Sequence, residues 1–223
     1  MVNFFNNSLS SNSYFKILNK YKKLNSKFVL ENYGSLIGDK SLFRFLTLYE
    51  LLKKVKKVEG NIIEFGTWNG NSLIFQKKII EFFKIKKKIF GYDHFKGMPF
   101  STGSNNFFVG DKKYIKFILN FFKLNQVFLI DDDFKNVKKY KKQISKISFA
   151  YIDCDLYEET KILLNFINNS ISKGGIILFD EAFRDSKKGE AKALKEFYNQ
   201  HKKLYTLHKL KKHYQPDIYL IKK

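Results

Sequence analysis

The sequence predicts an α/β protein, with a seven-stranded, mostly parallel sheet covered by helices on both faces and closed by an antiparallel C-terminal hairpin. Three observations carry that reading. Short apolar runs alternate with longer segments of helical periodicity along most of the 223 residues, the order expected of strands joined by crossover helices. Carboxylates stand directly after those runs, where doubly wound sheets place their ligands. The last two runs are separated by only a tight Lys- and Pro-containing connection, too short for a crossover helix, so they are expected to pair antiparallel.

Residues 1–37 are polar and irregular, rich in Asn and Ser with interspersed aromatics. They read as an N-terminal extension that could serve as a lid, with the catalytic domain over residues 38–223. From Ser41, the residues Leu42, Phe45, Leu46, Tyr49, Leu52 and Val55 recur at three- and four-residue steps, which marks an amphipathic helix ended before Gly60. Strands are expected at Ile62–Phe65, Ile89–Tyr92, Val127–Ile130, Phe149–Ile152, Ile176–Phe179, Tyr205–Leu207 and Ile218–Ile221. Between them, helices are expected at Ser72–Phe83, Lys112–Phe122, Glu158–Asn168 and Glu190–Gln200.

Composition narrows the function classes. With 44% hydrophobic and 17% aromatic residues the chain is globular rather than disordered. No apolar run is long enough to cross a bilayer and the opening residues lack a signal-peptide pattern, so a cytoplasmic location is expected. Cys154 is the only cysteine, which excludes an internal disulfide and a multi-cysteine zinc site. The net charge of +21 favours acidic partners. Yet arginine occurs only at Arg44 and Arg184 while Lys, Asn, Ile and Phe abound, the signature of an AT-rich genome. Scarce arginine also argues against sequence-specific nucleic-acid reading, and no stable nucleic-acid partner is expected. Peripheral membrane contact and homo-oligomerisation stay open.

The strand ends carry Glu64, Asp93, the run Asp131-Asp132-Asp133, Asp153 with Asp155, and Asp180-Glu181. Glu64 opens Glu64-Phe65-Gly66-Thr67-Trp68-Asn69-Gly70-Asn71-Ser72, a strand, a glycine turn that lets a ligand approach the backbone, and a helix start that Asn71 or Ser72 could cap. A nicotinamide loop would carry glycine at the position of Glu64. Glutamate there suits a cationic ligand without a pyrophosphate, and S-adenosylmethionine carries an amino group and a sulfonium. Asp93 is placed for two ribose hydroxyls. One of the three aspartates after the third strand would meet the adenine amino group while Phe134 covers the ring.

Asp153 and Asp180-Glu181 would converge from neighbouring strands, and like charges that close require protonation, pairing or a cation. Hard oxygen donors suit Mg²⁺. Such an ion could lower the pKa of an acceptor hydroxyl, which otherwise ionises about as reluctantly as water. Asp155 could be the general base, or a helix cap before Glu158. His94 lies beside the cofactor region, but a lone histidine in a polar turn more often lies at the surface.

These residues resemble the macrocin O-methyltransferase-like family of metal-dependent sugar methyltransferases, and among them those described as dTDP-6-deoxy-L-hexose 3-O-methyltransferases. The likeness rests on residues 64–72, on Gly91-Tyr92-Asp93-His94-Phe95-Lys96-Gly97-Met98-Pro99, on residues 152–161, and on Phe179-Asp180-Glu181 and Gly189-Glu190. It implies a Rossmann-like class I methyltransferase fold, S-adenosylmethionine as cofactor, and Mg²⁺ on Asp153, Asp180 and Glu181. It also implies Asp155 as candidate base, and a sugar or nucleotide-sugar acceptor in surface polysaccharide or natural-product assembly. From the strand-end and glycine-turn reading, cofactor contacts are expected for Glu64, Gly66, Thr67, Trp68, Gly70, Asn71, Ser72, Asp93, Asp132, Asp133, Phe134 and Asp153, with Asp153 and Asp155 the catalytic pair. Two departures stand out: Asp180-Glu181 replaces the Asp-Asp of many members, and Asp132 stands where the family usually has glycine. Competing readings are an RNA methyltransferase, favoured only by charge and lacking an Asn/Asp-Pro-Pro-aromatic motif, and a non-catalytic cofactor-binding module.

Overall fold

The computed structural model describes residues 26–98, 108–182, 189–211 and 214–223; the expectations for residues 1–25 and Pro99 lie outside them. Two short helices, α1 (Ser26–Glu31) and α2 (Tyr33–Leu36), occupy part of the stretch expected to be irregular. They lead into α3 (Asp39–Lys54), which carries Asp39 in its first turn and Lys53 and Lys54 in its last, matching the helix dipole at both ends. The buried face of α3 is Phe45, Leu48, Leu51 and Leu52, continued by Val55, whereas Leu42 and Leu46 are exposed. The apolar stripe is therefore rotated from the one expected. Leucines stand on both sides of this helix, and periodicity alone does not say which side meets the sheet.

The sheet contains β1 (Asn61–Phe65), β2 (Ile89–Asp93), β3 (Val127–Asp131), β4 (Ile147–Ile152), β5 (Ile171–Phe179), β6 (Tyr205–Lys209) and β7 (Ile218–Lys222). Their spatial order is β3-β2-β1-β4-β5-β7-β6. All neighbours from β3 to β5 pair parallel, and β7 is antiparallel to both β5 and β6. This is the mostly parallel sheet with an antiparallel C-terminal hairpin that the sequence predicts. Every residue of β4 is buried, as expected when helices cover both faces. β5 begins at Ile171, ahead of the expected start, because Ile171 already pairs with Ile147 before a register shift restores Phe149 to Ile176.

Helices α4 (Asn71–Phe82), α5 (Lys112–Phe121), α7 (Tyr157–Asn168) and α8 (Gly189–His201) fill the expected intervals. A 3₁₀ helix at Phe134–Tyr140 and the short α6 (Lys141–Ile144) were not anticipated. Their lysine-rich sequence hides two core contacts, since Val137 and Ile144 are completely buried. Burial of each such side chain contributes about 1.5–3 kcal/mol. One apolar cluster joins β1, β2, β4 and β5 to α7 and α8, and the other joins the sheet to α3, α4 and α5.

Register sets up the site. Phe65 pairs with both Tyr92 and Ile152, and Ile152 pairs with Phe179. Gly66, Asp93, Asp153 and Asp180 thus leave the sheet at one rim, beside the β1–β4 switch in strand order.

Candidate active site

Gly66 is the tightest point of that rim. Its φ is +86°, and a β-carbon there would collide with the Asp153 carbonyl oxygen, so only glycine serves. Gly66 N–H donates to Tyr92 O at 3.0 Å and Asp153 N–H donates to Phe65 O at 2.9 Å, which locks the first turn between β2 and β4. The next helix is capped by Gly70 in the left-handed region, with no side-chain bond to its N-terminus. Neither Asn71 nor Ser72 is the cap. Asn69 instead accepts the Asp111 N–H at 2.9 Å, tying the glycine turn to the start of α5.

A pocket of about 380 Å³ opens above this rim, a size suited to a small-molecule ligand. Of the residues singled out in the sequence, Gly66, Trp68, Asp93, Asp133, Phe134, Asp153, Asp155, Asp180 and Glu181 line it. Asp93 holds two loops together, accepting the Trp68 N–H at 2.8 Å and the Phe95 N–H at 2.7 Å. Asp133 caps the 3₁₀ helix through the Lys135 N–H, which sets Phe134 on the pocket wall.

Other candidates stand back from it. Asp132 bonds Asn136 and Tyr140 and holds the 3₁₀ helix. Thr67 and Ser72 are buried, and neither they nor Gly70 and Asn71 belong to the lining. Glu64 is completely buried, accepts a hydrogen bond from Gln76 of α4, and also lies behind the wall. Burial pushes its pKa up to about 8, so the group is mostly protonated at neutral pH.

The acidic ends of β4 and β5 meet a residue from α3. Arg44 Nη2 lies 2.9 Å from both carboxylate oxygens of Asp180, and Nη1 lies 3.8 Å from Asp153 Oδ2. Tyr151 donates its hydroxyl to Asp180, and Gln215, near the end of the β6–β7 connection, donates to Glu181. Burial raises the Asp153 pKa well above the carboxylate range and the charge of Asp180 adds to the rise, while Arg44 opposes it. Burial would lower the Arg44 pKa, but the acidic groups around it, Tyr151, Asp180 and Asp153, reverse the sign.

Glu190, at the head of α8, receives the Cys154 and Glu181 N–H groups, each at 3.1 Å, and so clasps the two strand ends together. Asp155 has φ +59°, and Leu156, not Asp155, occupies the cap position of α7.

The donor set Asp153, Asp180 and Glu181 has the hard-oxygen chemistry of a divalent-cation site. As arranged, it does not form a cage: among the described residues no three His, Cys, Asp or Glu side chains group to hold a metal ion. Asp180 faces Arg44, and Glu181 faces Gln215.

Arg44, His94, Gly97, Met98, Phe108, Lys135, Cys154, Leu156, Glu159 and Gln215 also line the pocket. Sequence reasoning assigned none of them a role in it. His94, expected at the surface, is half-buried on the pocket wall. For Arg44 the available signal was its rarity, one of two arginines in a lysine-rich chain.

The family model described as Macrocin-O-methyltransferase (TylF) matches residues 31–213. Among solved structures the chain is similar to CalS11, calicheamicin methyltransferase, at 22% identity over 96% of this chain and 93% of that one, with a TM-score of 0.74. The apo CalS11 structure, a TDP-rhamnose 3'-O-methyltransferase of calicheamicin biosynthesis, gives 23%, 96%, 95% and 0.73. The O-methyltransferase NovP is similar at 18% identity over 81% of this chain and 79% of that one, with a TM-score of 0.67. At these identities the likeness shows a shared fold. No curated protein matches the chain.

Proposed function

The chain belongs to the macrocin-O-methyltransferase (TylF) family, and from that membership we propose that it moves the methyl group of S-adenosylmethionine onto a sugar hydroxyl. The acceptor is a nucleotide sugar or a comparable sugar carried on a diphosphate. The single observation that carries the reading is the acidic pocket at the β1–β4 switch, where Gly66, Asp93, Phe134, Asp153 and Asp155 face one cavity. A net charge of +21 favours capture of an anionic acceptor, and similarity to a TDP-rhamnose 3'-O-methyltransferase supports the sugar class. Assembly of a natural product or surface polysaccharide, in the cytoplasm, is the setting we infer.

When bound, S-adenosylmethionine supplies an electrophilic methyl on a sulfonium. Asp93 would hold the ribose hydroxyls, Phe134 would cover the adenine with Asp133 at its edge, and Gly66 would let the methionine portion approach the backbone. Asp155 would take the acceptor proton. Asp153, Asp180 and Glu181 would hold Mg²⁺, whose charge lowers the pKa of a coordinated hydroxyl.

Titration calorimetry with S-adenosylmethionine tests the cofactor, and radiolabelled methyl transfer to a panel of dTDP-deoxyhexoses, with and without chelator, tests acceptor and metal. We expect cofactor binding and chelator-sensitive labelling of a sugar nucleotide. Absence of cofactor binding by folded protein would refute the reading.

A further inference from the structure

The Asp153–Asp180 pair already has a cation within the chain. Arg44 Nη2 is equidistant, at 2.9 Å, from the two oxygens of Asp180, the position a chelated ion would take. Asp180 is only 2% exposed and stands on the pocket wall beside Arg44, so the guanidinium covers the side of the carboxylate that a solute would have to reach. Arg44 reaches Asp153 as well. A dication on those oxygens and a guanidinium at hydrogen-bond distance from them would repel strongly in a half-buried setting. Guanidinium does not deprotonate in proteins, so the conflict is resolved by movement and not by titration.

We propose that Arg44 is the resident counter-cation of Asp153 and Asp180 and must withdraw for a divalent cation to bind, so that the two occupy the pair in turn. The inference rests on the metal reading above. It makes α3, which carries Arg44, the element that sets metal affinity.

Two measurements test it on the full chain. In the first, metal-stripped wild type and Arg44→Met are titrated with Mn²⁺ by calorimetry, with circular dichroism as the check on folding. We expect Arg44→Met to bind about tenfold tighter or more, because the competitor is gone. Equal or weaker binding by the folded variant overturns the proposal.

The second keeps the native residue. With two arginines in the sequence, ¹⁵N-arginine labelling gives two sets of guanidinium signals, assigned with Arg184→Lys. Mg²⁺ should turn the hindered Arg44 signals into averaged ones while leaving Arg184 unchanged; hindered Arg44 signals at saturation overturn the proposal. If neither protein binds Mn²⁺ while S-adenosylmethionine still binds, both this inference and the metal role fall, and the methyltransferase reading stands.

Discussion

Gly66, just past β1, and Asp153, just past β4, approach so closely that the Asp153 carbonyl oxygen occupies the space a side chain at position 66 would need. The same contact brings the acidic end of β4 to the base of the glycine turn. Gly66→Ala must both adopt φ +86° and push β4 away. We expect it to lower stability by about 2–5 kcal/mol, combining backbone strain with overpacking. Urea denaturation reads this directly, and a wild-type midpoint would contradict the contact.

Glu64 gives a pH signature. Its folded pKa is about 8 against an ordinary 4.5, with burial the largest cause. Between those values the unfolded group is ionised while the folded one keeps its proton, so the native state binds more protons and stability falls as pH rises. The slope is about 1.4 kcal/mol per pH unit within the window. Asp153 and Glu190, also raised, act in the same direction. The readout is therefore the difference between wild type and Glu64→Gln, which should widen in favour of the variant from about pH 4.5 to 8 and then level off. A constant difference across that range would show that Glu64 ionises normally.

The strand-end carboxylates were legible because one rule of parallel sheets places ligands at those ends, and register alone gathers Asp93, Asp153 and Asp180. Arg44 was not legible in that way. It lies 136 residues from Asp180 in sequence, on a helix whose expected stripe was turned away from the observed one. Glu64 shows the opposite limit. Its position at a strand end was read correctly, but strand alternation turns its side chain to Gln76 inside α4's packing and not to the pocket. Glu190 was noticed only as part of a resemblance; its task of accepting two N–H groups from different strand ends depends on tertiary placement that no local pattern encodes.

Phe134 tests the adenine assignment. It lines the pocket directly after Asp133, and its ring packs edge-on to Phe65 at 6.1 Å. Base–aromatic stacking is worth about 1–3 kcal/mol, so Phe134→Ala should weaken binding of S-adenosylhomocysteine by about 5- to 150-fold. Calorimetry settles it, with thermal unfolding as a control for lost packing. Unchanged affinity would move the adenine elsewhere.

Asp155 offers the cleanest test of chemistry because its backbone is already in the left-handed region, which asparagine tolerates as well as aspartate does. Asp155→Asn removes the proton acceptor and leaves the turn and the Gly189 contact intact. If Asp155 is the general base, the turnover number should drop by about 10²- to 10⁴-fold while S-adenosylhomocysteine affinity stays within about threefold, well under the tenfold that 1.4 kcal/mol would produce. The acidic limb of the rate–pH profile, which reports ionisation of the base, should flatten in the variant. A retained limb with full turnover would assign proton removal to another group on the same wall, and His94, which also lines the pocket, would be the next to substitute.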